Sequence, residues 1–159
     1  MTTYPNSTSN PVQSSLDWFK KAVPEPSTKN LTVQVGVHLE EVAEFLEALL
    51  PHLSPVCKLQ AEDAYQGLTK LSKLLKTAPV TDYIDDTFYR EPAALDAVVD
   101  QMVTGTGIAY MAGWNILGAF NEVNRSNWSK FVDGKPVFNV NGKIAKGENY
   151  TPPNLSPYL

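Results

Sequence analysis

Cysteine and histidine are nearly missing from this chain: among 159 residues there is one cysteine, Cys57, and two histidines, His38 and His52. A single thiol can form no intrachain disulfide and has no second thiolate beside it for a structural zinc site. Two histidines are too few for a histidine-rich zinc or copper centre. Positive charge is also scarce, with 13 Lys and Arg against 17 Asp and Glu, a net charge of -4 and no dense basic run, which argues against a nucleic-acid binder working by counterion release. Neither Gly-x-x-x-x-Gly-Lys nor Gly-x-Gly-x-x-Gly occurs, so no nucleotide is held in the P-loop or Rossmann manner. Residues 1–11 lack the basic start and apolar core of a signal peptide, so the expected location is the cytosol. The apolar run 92–121 is long enough to raise a membrane span, but two Asp, a Gln and several Thr and Gly within it make that reading poor.

What the chain does contain is helical periodicity. Residues 1–13 read as a disordered segment, with Ser14 and Ser15 capping a short helix that Pro24 and Pro26 stop. Val35, Leu39, Val42, Leu46 and Leu49 recur at helical spacing over residues 30–50, with Glu40, Glu41, Glu44 and Glu47 on the other side. Residues 56–77 repeat the pattern with Val56, Leu59, Tyr65, Leu68, Leu71 and Leu75, and Lys70, Lys73 and Lys76 read as a solvated face. Residues 78–91 read as loop. A helix from Pro92 to about Gly113 follows, then another from Asn115 to about Phe131. Residues 132–159 hold the turn signals Asp133-Gly134 and Asn141-Gly142, three lysines and four prolines, a basic irregular tail with room for a short hairpin. One all-α domain, a bundle of about five helices over residues 14–131, completed by the tail at 132–159, is the expected architecture.

The run 92–121 organises the chemistry. Its only charges are Asp96 and Asp100, one turn apart, where like charges repel. A helix so apolar is expected to be buried on most of its circumference, and burying two carboxylates there requires a cation from elsewhere. The bland alternative puts both on a thin exposed stripe. Facing helices with acids at spacing three or four can gather an all-oxygen cage for Mg²⁺ or Mn²⁺. A di-iron bundle calls for Glu-x-x-His on two helices, and neither histidine follows a Glu by three. Divalent cations held by carboxylates alone usually serve phosphate chemistry, and the donors around Arg125, Lys130, Lys143 and Lys146 suit a polyphosphate, although a solvated tail would have the same composition.

Glu40-Glu41-x-x-Glu44 on one helix, an Asp-bearing helix after it, the stretch Glu122-Val123-Asn124-Arg125-Ser126-Asn127-x-Ser129-Lys130-Phe131 and the tail Asp133-Gly134-Lys135-Pro136 with Asn141-Gly142-Lys143-Ile144-x-Lys146-Gly147-x-Asn149-Tyr150 together resemble the MazG-like branch of the all-α NTP pyrophosphatases. The likeness covers about residues 14–151. The C-terminal half resembles phage-encoded members, which are also similar to phosphoribosyl-ATP pyrophosphohydrolases. The resemblance implies hydrolysis of a nucleoside triphosphate between the α and β phosphates. It implies Glu41 and Glu44 as metal ligands, with Glu40 a further ligand or the base that orients water beside Glu41, and Asp100 as the last ligand. The family places a Glu three residues before that aspartate; here Ala97 stands there, and Asp96, four before, is the expected substitute. By the same resemblance Asn124, Arg125, Asn127, Lys130, Lys143, Lys146 and Tyr150 contact phosphates or sugar. The implied assembly is a homo-oligomer, a dimer or a dimer-based tetramer, located in the host cytosol if phage-encoded. The substrate expectation leans to dGTP, with dUTP or dCTP as the alternative within the fold. A phosphatase releasing orthophosphate and a non-catalytic helical oligomerisation module are the readings outside it.

Overall fold

Asn10 opens the first helix: its side-chain oxygen accepts from the backbone N–H groups of Val12 at 3.0 Å and Gln13 at 3.3 Å, covering donors that a helix start leaves open. In the computed structural model, which describes residues 10–77, 84–139 and 143–159, helix α1 therefore runs Pro11–Ala22. It begins three residues before the Ser14/Ser15 start expected above, because Asn10 and Pro11 form a complete cap of their own. Residues 1–9 of the expected disordered segment lie outside the described residues. The remaining helices are α2 (Thr28–Leu49), α3 (Pro55–Thr77), α4 (Pro92–Met111) and α5 (Ile116–Trp128), with single 3₁₀ turns at Leu50–His52, Asp86–Arg90 and Ser156–Tyr158. The expected all-α architecture of five helices is what is found. Among the described residues the extended pairing is limited to two isolated bridges, Val132 with Lys135 and Phe138 with Ile144. Of the loop expected at 78–91, residues 78–83 lie outside the described residues, and its far end is the 3₁₀ turn Asp86–Arg90.

The chain divides into two compact units: Met1–Glu25, Thr87–Asn139 and Ile144–Leu159 form one, Pro26–Asp86 and Val140–Lys143 the other.

The second unit is a hairpin of two long helices. Ser27 caps α2 and exchanges bonds with Asn30 in a capping box. Pro51 lies in the 3₁₀ turn, and Pro55 opens α3. So short a link makes α2 and α3 antiparallel neighbours. The faces they bury against each other carry Thr32, Val33, Gly36 and Ala43 on α2 and Ser72 and Leu75 on α3. Gly36 is what permits the close approach, since a Cβ there would stand 3.0 Å from Leu75 Cβ and 3.1 Å from the Ser72 carbonyl oxygen. The stripe Val35, Leu39, Val42, Leu46 and Leu49 is only half-buried, and Val56, Leu59 and Leu71 on α3 are exposed. Two helices cover one stripe of each other and no more, so the wider apolar faces expected to point inward have no third layer here.

In the first unit α1 packs on α5 around Trp18, Ala22 and Phe131, with Val23, Trp128 and Ile144 against them. Asp133 (φ 49°) and Gly134 (φ 73°) make the tight turn that the Asp-Gly signal predicts, closed by Val132 and Lys135 bonding each other at 3.0 and 2.9 Å. Asn141-Gly142 lies outside the described residues. The tail then runs back along α5: Thr151 N–H donates to Ser129 Oγ at 2.9 Å, Asn154 N–H to Glu122 Oε1 at 2.9 Å, and Asn115 N–H to the Tyr158 carbonyl at 2.8 Å. It is a strap fastened to α5.

Helix α4 departs from expectation. Glu91 caps it with its own side chain, and Gly113 (φ 79°) ends it, Trp114 N–H reaching back to the Ala109 carbonyl at 3.0 Å. Within its unit α4 meets α5, and Ala109 is its one buried residue. The helix expected to be enclosed on most sides is open: within its unit it meets α5, and every residue but Ala109 is exposed or half-buried.

Candidate functional site

The acidic residues singled out in the sequence lie on both units. Glu41 and Glu44 are exposed on α2, three residues and hence about one turn apart on the same side of the hairpin. Asp96 and Asp100 are exposed on α4, four residues apart, on a helix that carries no Lys or Arg. They are not taken into an apolar interior, so the burial penalty that called for a cation is absent from the single chain. Among the described residues no group of three or more His, Cys, Asp or Glu has metal-holding geometry. Each pair supplies carboxylate oxygens one turn apart, a donor chemistry that fits a hard cation such as Mg²⁺ or Mn²⁺.

Glu40 has a different occupation. Its Oε1 accepts from Lys76 Nζ at 2.5 Å and its Oε2 from Lys143 Nζ at 3.0 Å. The Lys76 hydrogen bond above all, with Lys143 adding to it against a desolvation penalty, holds the carboxyl below its usual range. A carboxylate so stabilised is a weaker base, which removes the reason for assigning Glu40 to proton abstraction. Lys76 is drawn out of the solvated face expected for it, and Lys143 out of the phosphate set.

The residues expected to meet the nucleotide separate into two groups. Asn124 is buried: its Nδ2 donates to the Pro11 carbonyl at 2.8 Å and its Oδ1 accepts from Ser15 Oγ at 2.8 Å. Both ends of the amide are committed to joining α1 and α5, so Asn124 is corrected from a nucleotide contact to a structural residue. Arg125 grips Glu122 with two bonds of 2.8 Å and reaches Thr151 Oγ1 at 2.5 Å and the Pro152 carbonyl at 3.1 Å, fastening the strap rather than offering its guanidinium outward.

The second group stays at the surface of the first unit. Lys130 Nζ donates to Asn127 Oδ1 at 2.7 Å and stands 5.8 Å from the Trp18 ring centre. Lys146 Nζ lies 4.9 Å from the Tyr150 ring centre. A Cβ on Gly147 would stand 3.1 Å from the Lys130 carbonyl oxygen, so the strap crosses the end of α5 beside Lys130 and places Lys146 and Tyr150 next to it in the chain. Lys21 joins this side, its ammonium 5.7 Å from the Trp128 ring and 5.4 Å from that of Phe131. Sequence reading missed it, as a lysine in the last turn of α1 looks like any helix-end cation.

Glu122 is the other residue whose place the sequence did not reveal. Arg125 first, then the Asn154 N–H, lower its carboxyl to about 2. Above the ordinary value of 4.5 it is charged folded or unfolded, and its contribution to stability is complete. Between about 4.5 and about 2 the unfolded chain takes up the proton while the folded one does not, so the contribution falls with pH and is gone below about 2. The stability difference between parent and Glu122→Gln should therefore shrink steadily as pH is lowered through this window in urea titrations. A difference that stays constant would show that the Arg125 clamp adds nothing to the fold.

Neither family models, nor curated proteins, nor solved structures give a match to this chain.

Proposed function

We propose that this chain is a metal-dependent nucleoside triphosphate pyrophosphohydrolase, converting a (deoxy)nucleoside triphosphate, dGTP before others, to the monophosphate and pyrophosphate. The observation that supports the reading is that each unit holds an exposed pair of carboxylates one helical turn apart, Glu41 with Glu44 on α2 and Asp96 with Asp100 on α4. Glu40 is held by Lys76 and Lys143. Glu41, Glu44, Asp96 and Asp100 are the residues that would hold Mg²⁺ or Mn²⁺. When bound, such an ion neutralises phosphate charge and lowers the pKa of coordinated water. Glu41 takes the water-orienting role that the sequence shared between it and Glu40.

Lys130 and Lys146, with Asn127 and Tyr150, bind the polyphosphate and the nucleoside. Their ammonium groups rest over aromatic rings, which stabilise a cation while leaving its donors available to an anion. The enzyme acts as a homo-oligomer in the cytosol.

Chromatography of the products decides the bond broken. Each of the common (d)NTPs incubated with the protein and Mg²⁺ or Mn²⁺ should give nucleoside monophosphate and pyrophosphate, dGTP fastest. Diphosphate with orthophosphate would make the protein a phosphatase, and no turnover of any nucleotide would leave the helical oligomerisation module in its place.

A further inference from the structure

Lys146 and Tyr150 stand on a surface turn with little of its own to hold it. Among the described residues its one internal backbone bond runs from the Tyr150 N–H to the Gly147 carbonyl at 3.1 Å. So lightly tied a segment keeps one shape only if both of its ends are fixed. Gly147 fixes the first: a Cβ there would meet Val132 Cγ2 at 2.5 Å and the Lys130 carbonyl oxygen at 3.1 Å. Thr151 is the second end. Its N–H donates to the Oγ of buried Ser129 at 2.9 Å, and Arg125 seizes what remains, Nη1 donating to Thr151 Oγ1 at 2.5 Å and Nη2 to the Pro152 carbonyl at 3.1 Å. Pro152 and Pro153 follow, and their locked φ leaves the chain little rotation with which to take up slack beyond the pin.

Glu122 aims the guanidinium. Three residues apart, Glu122 and Arg125 share one side of α5, and both carboxylate oxygens accept from the fork at 2.8 Å. Glu122 Oε1 also accepts from the Asn154 N–H at 2.9 Å. A planar fork held on two atoms has a fixed direction, and its other donors reach the strap. Swinging towards a bound anion would break the pair and release Thr151. We propose that Arg125, aimed by Glu122, is a positioning residue for polyphosphate binding: it touches no phosphate and acts by fixing the turn that carries Lys146 and Tyr150. The proposal rests on the reading that this turn meets the polyphosphate.

The test uses inorganic tripolyphosphate as the probe, with chelator present so that no metal ion takes part, and calorimetry on the full chain. Arg125→Lys keeps the charge but cannot reproduce the fork. It should weaken binding by roughly tenfold, about as much as Arg125→Gln, whereas a direct phosphate contact would be largely rescued by lysine. Lys146→Ala should cost roughly tenfold in the parent and less than about threefold when residue 125 is already lysine, because a misplaced ammonium has little left to lose. Hydrogen exchange of the Tyr150 and Thr151 amides should be at least about tenfold faster in Arg125→Lys, with the amides of α1 unchanged. Should the Arg125 variants lose protection in α1 as well, Thr151→Val, which removes only the hydroxyl that Nη1 reaches, carries the same three measurements. Parent-like affinity in Arg125→Lys, an equal cost of Lys146→Ala in both backgrounds, unchanged exchange at Tyr150 and Thr151, or a parent that does not bind tripolyphosphate each overturns the proposal. A parent that shows the expected pattern yet converts no nucleotide removes the pyrophosphohydrolase reading and leaves Arg125 its positioning role. A parent that releases pyrophosphate while Arg125→Lys binds as it does keeps that reading and removes the role.

Discussion

Trp18→Ala should remove about 3–5 kcal/mol from the unit that α1 and α5 share, the cost of emptying a buried aromatic site. The effect is large because that core is small. Trp18, Ala22 and Phe131 are its buried members, and Trp18 meets Phe131 edge-on with ring centres 5.9 Å apart. The indole also donates from Nε1 to the Asn127 carbonyl at 2.9 Å, so truncation leaves that oxygen without its partner as well as opening a cavity. Lys130 loses the ring beneath it. Trp114→Ala, at an exposed residue by the end of α4, should cost far less. Urea unfolding of both variants checks the ranking: equal losses would mean that α1 and α5 are not held together by this cluster.

Local signals in the sequence were legible where one or two residues settle the geometry. Asp133-Gly134 predicts a turn because both of its residues tolerate positive φ, and both adopt it. Proline likewise marks where helices stop and start: Pro51 in the hairpin turn, Pro55 and Pro92 at the first positions of α3 and α4. The start of α1 was misplaced because Asn10, Ser14 and Ser15 are equally good caps on paper. Pro11 after Asn10 decides between them in the folded chain. Contacts between distant residues were not legible. Glu40 finds partners 36 and 103 residues away, and nothing in Glu40-Glu41-x-x-Glu44 singles out the glutamate that Lys76 and Lys143 hold. Asn124 reads as a polar residue in a motif, yet its bond to the carbonyl of Pro11, 113 residues earlier, makes it part of the core. The apolar composition of α4 signals that it must be covered, but composition does not say by what, and the expectation of burial within the chain failed on that point.

Asp100→Asn should reduce turnover of a nucleoside triphosphate by at least about a hundredfold, the scale expected when a ligand that positions the catalytic ion is lost. The substitution keeps the shape of the side chain and removes one of two like charges a turn apart on an exposed face, so the metal-free fold should be as stable as the parent or slightly more so. The parent should gain stability from Mg²⁺ by mass action, about 2.7 kcal/mol with the ion at roughly a hundred times its dissociation constant. The variant should gain much less. Glu41→Gln and Glu44→Gln should behave in the same way, whereas Glu47→Gln, on the same helix but outside the proposed ligand set, should not. The most direct measurement is a Mn²⁺ titration followed by the paramagnetic signal of the free ion, run on the parent and on Asp100→Asn side by side. Saturable uptake by the parent that is lost in Asp100→Asn is the predicted result; an identical titration of the two proteins would remove Asp100 from the metal site and contradict the proposed chemistry at its centre.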